Sequence, residues 1–479
     1  LLGAYLVGLF IVALFATMAV LMSTFSSLDS DTGPSLGVGT LIIGVLGAPF
    51  LIWRTMVAQT TVDLAKENHV TDMINKAVEG LGAIKSVKTE GNEKPEPNIE
   101  VRIGAILALE RLAKNNLYVH IQIMEILTAY IRENAKASEA PPLLGPDGEP
   151  LPECPRYETA FADVFEVDLK EWNDKLRAAL KAVKPRADIQ MALTVIGRRE
   201  DDQKTLERNG VPEFSKIEID SAIAAGVSGD VTGWGPEMNS YRNEFHKWMF
   251  EARRHTLDLQ GVNLRGADFV GGDFQNSRLT GSLLQGAKLN STHMEGAFLE
   301  HVHMEGADLT EVHFEVANLR EAQLQGAGLW NADVKVAHLR GADLVGASLG
   351  WTQMIGAYLG ETNMQGALLR AVNMKGALLI GTHLEGARIA GARMEGVFLD
   401  AAHMAGVIQL DATGLRGAAV KDMDFTYTPD IWVHVPLIFG DGSVTLPGGI
   451  RPGNIDWPKH WGNKRLGREE QGVSDPLCI

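Results

Sequence analysis

Between Leu259 and Met404 every fifth residue is Leu, Met, Phe, Ile or Val, which makes 30 consecutive repeats without a miss. Two residues before each of these centres the side chain is small (Ala, Gly, Ser, Thr or Val) in every repeat but the first. A period of five is neither the 3.6 of an α-helix nor the 2 of a strand, so neither element alone accounts for it. Two inward residues separated by one outward residue form a short extended piece, because successive side chains there alternate sides. The other two residues must turn a corner so that the next inward pair again faces the axis. Glycine is frequent at the second corner position, as at Gly266, Gly286, Gly306 and Gly346, where it supplies the positive φ of a tight turn.

Four such sides close a square coil of about 20 residues, and coils stack at the strand spacing of ~4.8 Å. The repeats therefore predict a rod ~36 Å long, its axis filled by the large centres and by small residues where four large side chains cannot fit. The pattern resembles the pentapeptide-repeat family over residues 256 to 408, which implies a right-handed quadrilateral β-helix. After "AGVIQ" the frame slips by one residue, and Leu410, Leu415, Val420 and Phe425 continue it weakly. The tail "FGDGSVTLPGGIRPGNIDWPKHW", together with "VRIGAILALERLA" and "MALTVIGRR", resembles bacterial membrane-anchored pentapeptide-repeat proteins. That resemblance implies an architecture more than an activity.

Residues 1 to 25 carry no charge and are long enough to cross a hydrocarbon core of ~30 Å, so a transmembrane helix is expected there. A second span is expected from Leu36 to Trp53, kinked at Pro49. The connecting turn holds Asp29 and Asp31, whereas Arg54 and Lys66 follow the second span, which places everything after residue 54 on the cytoplasmic side of a bacterial inner membrane. Residues 57 to 88 read as a helix, and residues 99 to 115 and 119 to 134 show amphipathic helical spacing. The stretch from 137 to 158, rich in proline and acid, reads as a loop, and helical signal returns in "DLKEWNDKLRAALKAV" and "DIQMALTVIGRRE". The expected organisation is thus a transmembrane hairpin (1 to 56), a mostly helical domain (57 to 255), the β-helix (256 to 425) and a C-terminal cap and tail (426 to 479).

With four repeats per coil, residues 20 apart stack on one face. One face then reads Asp258, Arg278, Phe298, Asn318, His338, Tyr358, Leu378, Phe398, so that three consecutive coils present Tyr358, Leu378 and Phe398 with Ile380 beside them. An exposed apolar stripe of that size is expected to be covered, either by another protein or second copy, or by the helical domain itself. Trp330 and Trp351 occupy a corner of the opposite face, one coil apart, as a second candidate contact or as plain surface aromatics. His293 stacks on His313, and His383 on His403, but pairs lacking carboxylate or thiolate support read as surface residues more than as a metal site. Cys154 and Cys478, far apart and without a CxxC context, read as free thiols.

No nucleophile elbow, phosphate loop, zinc-protease or dinucleotide motif occurs, so neither an enzyme nor a cofactor is expected. A formal net charge of -16 argues against general binding of nucleic acid. The reading that follows is a non-enzymatic membrane-anchored scaffold whose rod and helical domain dock on a membrane protein complex. The alternative comes from soluble relatives of the family that mimic duplex DNA and bind DNA gyrase as decoys. Residues 256 to 406 hold 16 acidic and 10 basic residues, an excess of six charges on a ~36 Å rod, against about 20 phosphates for a duplex of that length.

Overall fold

The computed structural model describes residues 36–89, 92–158, 162–208, 256–408, 410 and 413–461, with a few isolated positions between 12 and 23. The chain divides into two compact units, Leu1–Ala77 and Val78–Ile479. A single α-helix, α1 (Leu36–Leu81), runs through most of the described part of the first.

Among the described residues no helix is long and apolar enough to cross a membrane. This overturns the expectation of two transmembrane helices. From Leu51 onward Arg54, Asp63, Lys66 and Glu67 fall within a single eighteen-residue stretch of α1, and the helix continues past them without a break. Desolvating those four ionised groups in hydrocarbon rules that stretch out as a span; of the expected second span, Leu36 to Trp53, only Leu51 and Trp53 have described side chains. The first expected span, residues 1 to 25, lies almost wholly outside the described residues, as does most of 203 to 255.

A second difference follows directly. The helix expected through residue 88 ends at Leu81, and Ile84–Thr89 (β1) pairs antiparallel with Asn92–Pro97 (β2). Gly82 donates to Glu79 O and Ala83 to Gly80 O as the helix unwinds, after which β-branched Ile84 and Val87 favour extended backbone.

Helices α2 (Ile99–Asn115), α3 (His120–Asn134) and α5 (Ala187–Gly197) form the helical core. Ile106, Leu109, Ile123, Leu127, Ile131, Leu193 and Ile196 are buried there at i+3 and i+4 spacings. Asp188, fully buried at the start of α5, ties the three together. It accepts from Arg186 Nε at 2.7 Å and from the Tyr130 hydroxyl, and pairs with Arg102 at 3.7 Å. Burial pushes its carboxyl up, but the hydrogen bonds from Arg186 and Tyr130 outweigh this and hold it below the usual carboxylate range.

Bridges pair each outward residue with the one 20 positions on, from Asp258↔Arg278 to Arg388↔Ile408, confirming four sides per coil. The repeat centres from Leu259 to Met404 are buried, and so are Leu410, Leu415, Val420 and Phe425 beyond them. The one-residue slip appears as a change of pairing from 20 to 21 at Arg393↔Gly414, carried on by the parallel sheet β3 (Phe398–Asp400), β4 (Ala419–Lys421) and β5 (Phe439–Gly440).

The helical core closes the first coil. An open coil presents unpaired N–H and C=O groups on each of its four sides. Arg132 donates to Asp258 O; Ala137 N donates to Gly261 O and Asn263 N to Ala135 O. Gln190 both donates to and accepts from the Asp268 backbone, and Asp273 N donates to Gly197 O while Arg199 donates to Asp273 O. All four sides are thereby capped.

Candidate interaction surfaces

The loop and helix between residues 140 and 186 do not stand apart from the rod. Helix α4 (Ala162–Leu180) lies along one of its four edges. The second corner residue on that edge is Gly266, Gly286, Gly306, Gly326, Gly346, Gly366, Gly386 and Gly406, glycine in every coil. Turn geometry alone does not require this, since His301, Val316, Trp351 and Glu361 hold φ of 54°, 61°, 63° and 56° at equivalent corners on other edges. Close approach does require it. A Cβ on Gly366 would lie 2.7 Å from Phe165 Cε1, on Gly346 2.9 Å from Leu169 Cδ1, and on Gly306 2.8 Å from Leu180 Cδ1. At the ends, Tyr157 covers Gly386 and Gly406, and the Val183 carbonyl sits against Gly266.

The fit is a match of two periods. Seven helical residues, Leu169 to Leu176, climb ~10.5 Å, and the two coils from Gly346 to Gly306 climb ~9.6 Å. Phe165, Leu169, Trp172 and Leu176 are buried, which at ~2 kcal/mol each amounts to ~8 kcal/mol of gross apolar stabilisation. Polar contacts fix the register: Arg156 to Asp343 at 2.6 Å, Tyr157 N to Gln365 Oε1 at 3.0 Å, Arg388 to Glu166 at 2.8 Å, and Trp172 Nε1 to Pro152 O at 2.9 Å. Cys154 packs beside Phe165 and Leu169, where burial pushes its thiol up to about 12.

The stripe expected on the rod face is assembled but not open. Tyr358, Leu378 and Phe398 pair in register and form one cluster with Ala419, and the His338 ring stacks on Tyr358 at 5.2 Å. Their exposures are 7%, 7% and 9%, and Ile380 beside them is half-buried. By contrast Trp330 and Trp351 are each 52% exposed, on an edge that α4 leaves bare. Trp330 reaches along the ladder to the next coil, its Nε1 2.6 Å from where a Cβ on Gly350 would sit.

The histidines do have carboxylate support. In His293-x-Glu295, His303-x-Glu305, His313-x-Glu315 and His383-x-Glu385, the corner brings the glutamate back beside its own histidine, with Nδ1 to Oε1 distances of 3.0, 3.1, 3.6 and 3.1 Å. The neighbouring glutamates, hydrogen-bonded to His293 and His303 and close beside His313, raise all three above the ordinary imidazole value. Burial and the Glu315 charge together push Asp333, next in the same column, upward. The rings of His293 and His313 stack at 4.6 Å and those of His383 and His403 at 4.5 Å. His293, Glu295 and His313, and separately His383, Glu385 and His403, bring one donor atom each within 4.8 Å of one another.

The family described as pentapeptide repeats matches in 8 copies, over 258–296, 297–335, 317–352, 336–370 and 367–406. Residues 258–406 are a pentapeptide-repeat domain. Among solved structures it is similar to HetL, a pentapeptide-repeat protein involved in heterocyst differentiation regulation in the cyanobacterium Nostoc, at 23% identity over 46% of this chain and 92% of that one, TM-score 0.32. It is similar to a trypsin-treated QnrB1, a plasmid-mediated fluoroquinolone resistance protein, at 16% identity over 45% of this chain and 92% of that one, TM-score 0.30. Rfr23 from the cyanobacterium Cyanothece shares 33% identity over 20% of this chain and 63% of that one, TM-score 0.16. No curated protein matches the chain.

Proposed function

We propose that this chain is a non-enzymatic scaffold whose rod presents the edge carrying Trp330 and Trp351 to a protein partner. The observation that carries this reading is the contrast between edges. One is filled along the described coils by α4 and the Tyr157 segment, whereas the tryptophan edge keeps two indoles half in solvent. Indoles are costly to leave exposed and are enriched where protein partners meet. The rod suits such a role because a ladder of paired coils holds its contact residues fixed, so little freedom is lost on binding.

The test is affinity isolation of the full chain from its native cells in mild detergent, beside the Trp330→Ala/Trp351→Ala double variant. A protein recovered at fixed ratio with the wild type and lost with the variant supports the reading. Equal recovery by both overturns it. Recovery of a second copy alone would identify self-association through this edge, and recovery of DNA gyrase would select the duplex-mimic reading instead.

A further inference from the structure

We propose that His293, Glu295, His313 and Glu315 form a binding site for a first-row divalent cation of the zinc class. The parallel bridge His293↔His313 sets the spacing, and the two imidazoles stack with planes 7° apart. Each histidine has its own glutamate two residues on, so two nitrogens and two carboxylates meet on one patch of rod surface. Mixed imidazole and carboxylate donors suit zinc and its neighbours, whereas calcium and magnesium select oxygen alone.

Distances allow it. Donor atoms of His293, Glu295 and His313 lie mutually within 4.8 Å, so a point exists no more than ~2.8 Å from all three, against zinc bonds of ~2.0–2.2 Å. Closing that gap takes an inward shift of ~0.7 Å per side chain, available to half-exposed residues on a fixed backbone.

A second, independent observation points to a cation. Glu295 Oε2 and Glu315 Oε2 are buried without a hydrogen-bond partner among the described residues; Glu305 Oε2 and Glu395 Oε2 share that state, but of the four only Glu295 and Glu315 are one coil apart in a single column beside a stacked histidine pair. Buried carboxylate oxygens are normally satisfied, and a cation between the glutamates would satisfy both. Of the lysines at the column ends, Lys204 pairs with Asp273 at 3.1 Å and Lys335 with Asp333 at 2.6 Å. The rod supplies its own comparison. In the His383, Glu385, His403 cluster the position matching Glu315 is Ala405, so one donor is missing.

The experiment is calorimetric titration of the full chain, first stripped with a chelator, with Zn2+, and a parallel titration with Co2+ followed by visible absorption. One tight Zn2+ per chain is expected, with a Co2+ spectrum of low coordination number. His313→Ala and Glu315→Gln should each weaken binding by at least ~10-fold, and His403→Ala should leave the tight site unchanged. Circular dichroism checks that each variant is folded; should His313→Ala unfold, Glu315→Gln decides the matter. Absence of binding, affinity indifferent to Glu315→Gln, or loss of the tight site in His403→Ala would each overturn the assignment.

Discussion

Substituting alanine for Gly346 tests whether the uninterrupted glycine edge exists to seat α4. The new Cβ would lie 2.9, 3.0 and 3.1 Å from Leu169 Cδ1, Cδ2 and Cγ, and Leu169 is only 7% exposed, so it must be pushed aside. Overpacking of this kind costs ~1–3 kcal/mol. The left-handed backbone at φ 64° adds ~1 kcal/mol for a residue with a Cβ. Gly281 is the matched control: its φ is 67° and nothing lies within 4 Å of its would-be Cβ. Gly281→Ala should carry the backbone cost alone. The difference, ~1–3 kcal/mol, should appear in native-state hydrogen exchange as a ~5- to ~150-fold loss of protection confined to Ala162–Leu180. In a Leu169→Ala background the Gly346→Ala penalty should fall to the control value, a coupling that a double-mutant cycle measures. Equal effects at Gly346 and Gly281, or no coupling to Leu169, would refute the argument that close approach dictates these glycines.

Three further outcomes are expected. Because its hydrogen bond to Glu305 raises His303 in the folded state, the stability it contributes is complete below the unfolded imidazole value of ~6.5 and is lost as pH rises through the higher folded value. In metal-free buffer the melting temperature should therefore fall between pH 6 and 8, and His303→Gln should flatten the fall; an unchanged slope would count against the pair. Asp188→Ala leaves Arg102 and Arg186 facing a buried gap and should cost ~3–5 kcal/mol, read as a lower urea midpoint. In a Cys478→Ser variant, Cys154 at about 12 should resist iodoacetamide at pH 8 until urea is added, and rapid native labelling would contradict its burial against α4.

The rod was legible in the sequence because its period is local: each inward pair and each corner lies within five residues, and bridges 20 apart follow by arithmetic. The same arithmetic could have exposed the α4 seat, since Gly266 and the seven glycines that follow it at that spacing form the only corner column occupied by one residue type among the described coils. Reading those glycines as turn formers hid it, although His301 and Val316 adopt the same φ. The histidine clusters were hidden by counting along a face rather than around a corner, where Glu295 and Glu315 return to their own histidines. Tyr358, Leu378 and Phe398 could be read as a stripe to be covered, but not by what, because burial of a regular outward column depends on residues outside its own repeat. The strand pair at Ile84–Thr89 and Asn92–Pro97 was lost to the helical pattern before it, because Gly80 and Gly82, which bracket the helix end at Leu81, were read through as helix.

The pairing of α4 with the glycine edge also ties two lengths together. A solenoid can grow by duplicating a coil, since each copy brings its own ladder partners. Here every added coil lengthens the edge by ~4.8 Å and leaves one more corner bare unless α4 gains about three residues at 1.5 Å each. Insertions in the rod must therefore be matched by insertions in a helix some 150 residues earlier in the chain, so coil number and helix length should change together wherever this arrangement is inherited.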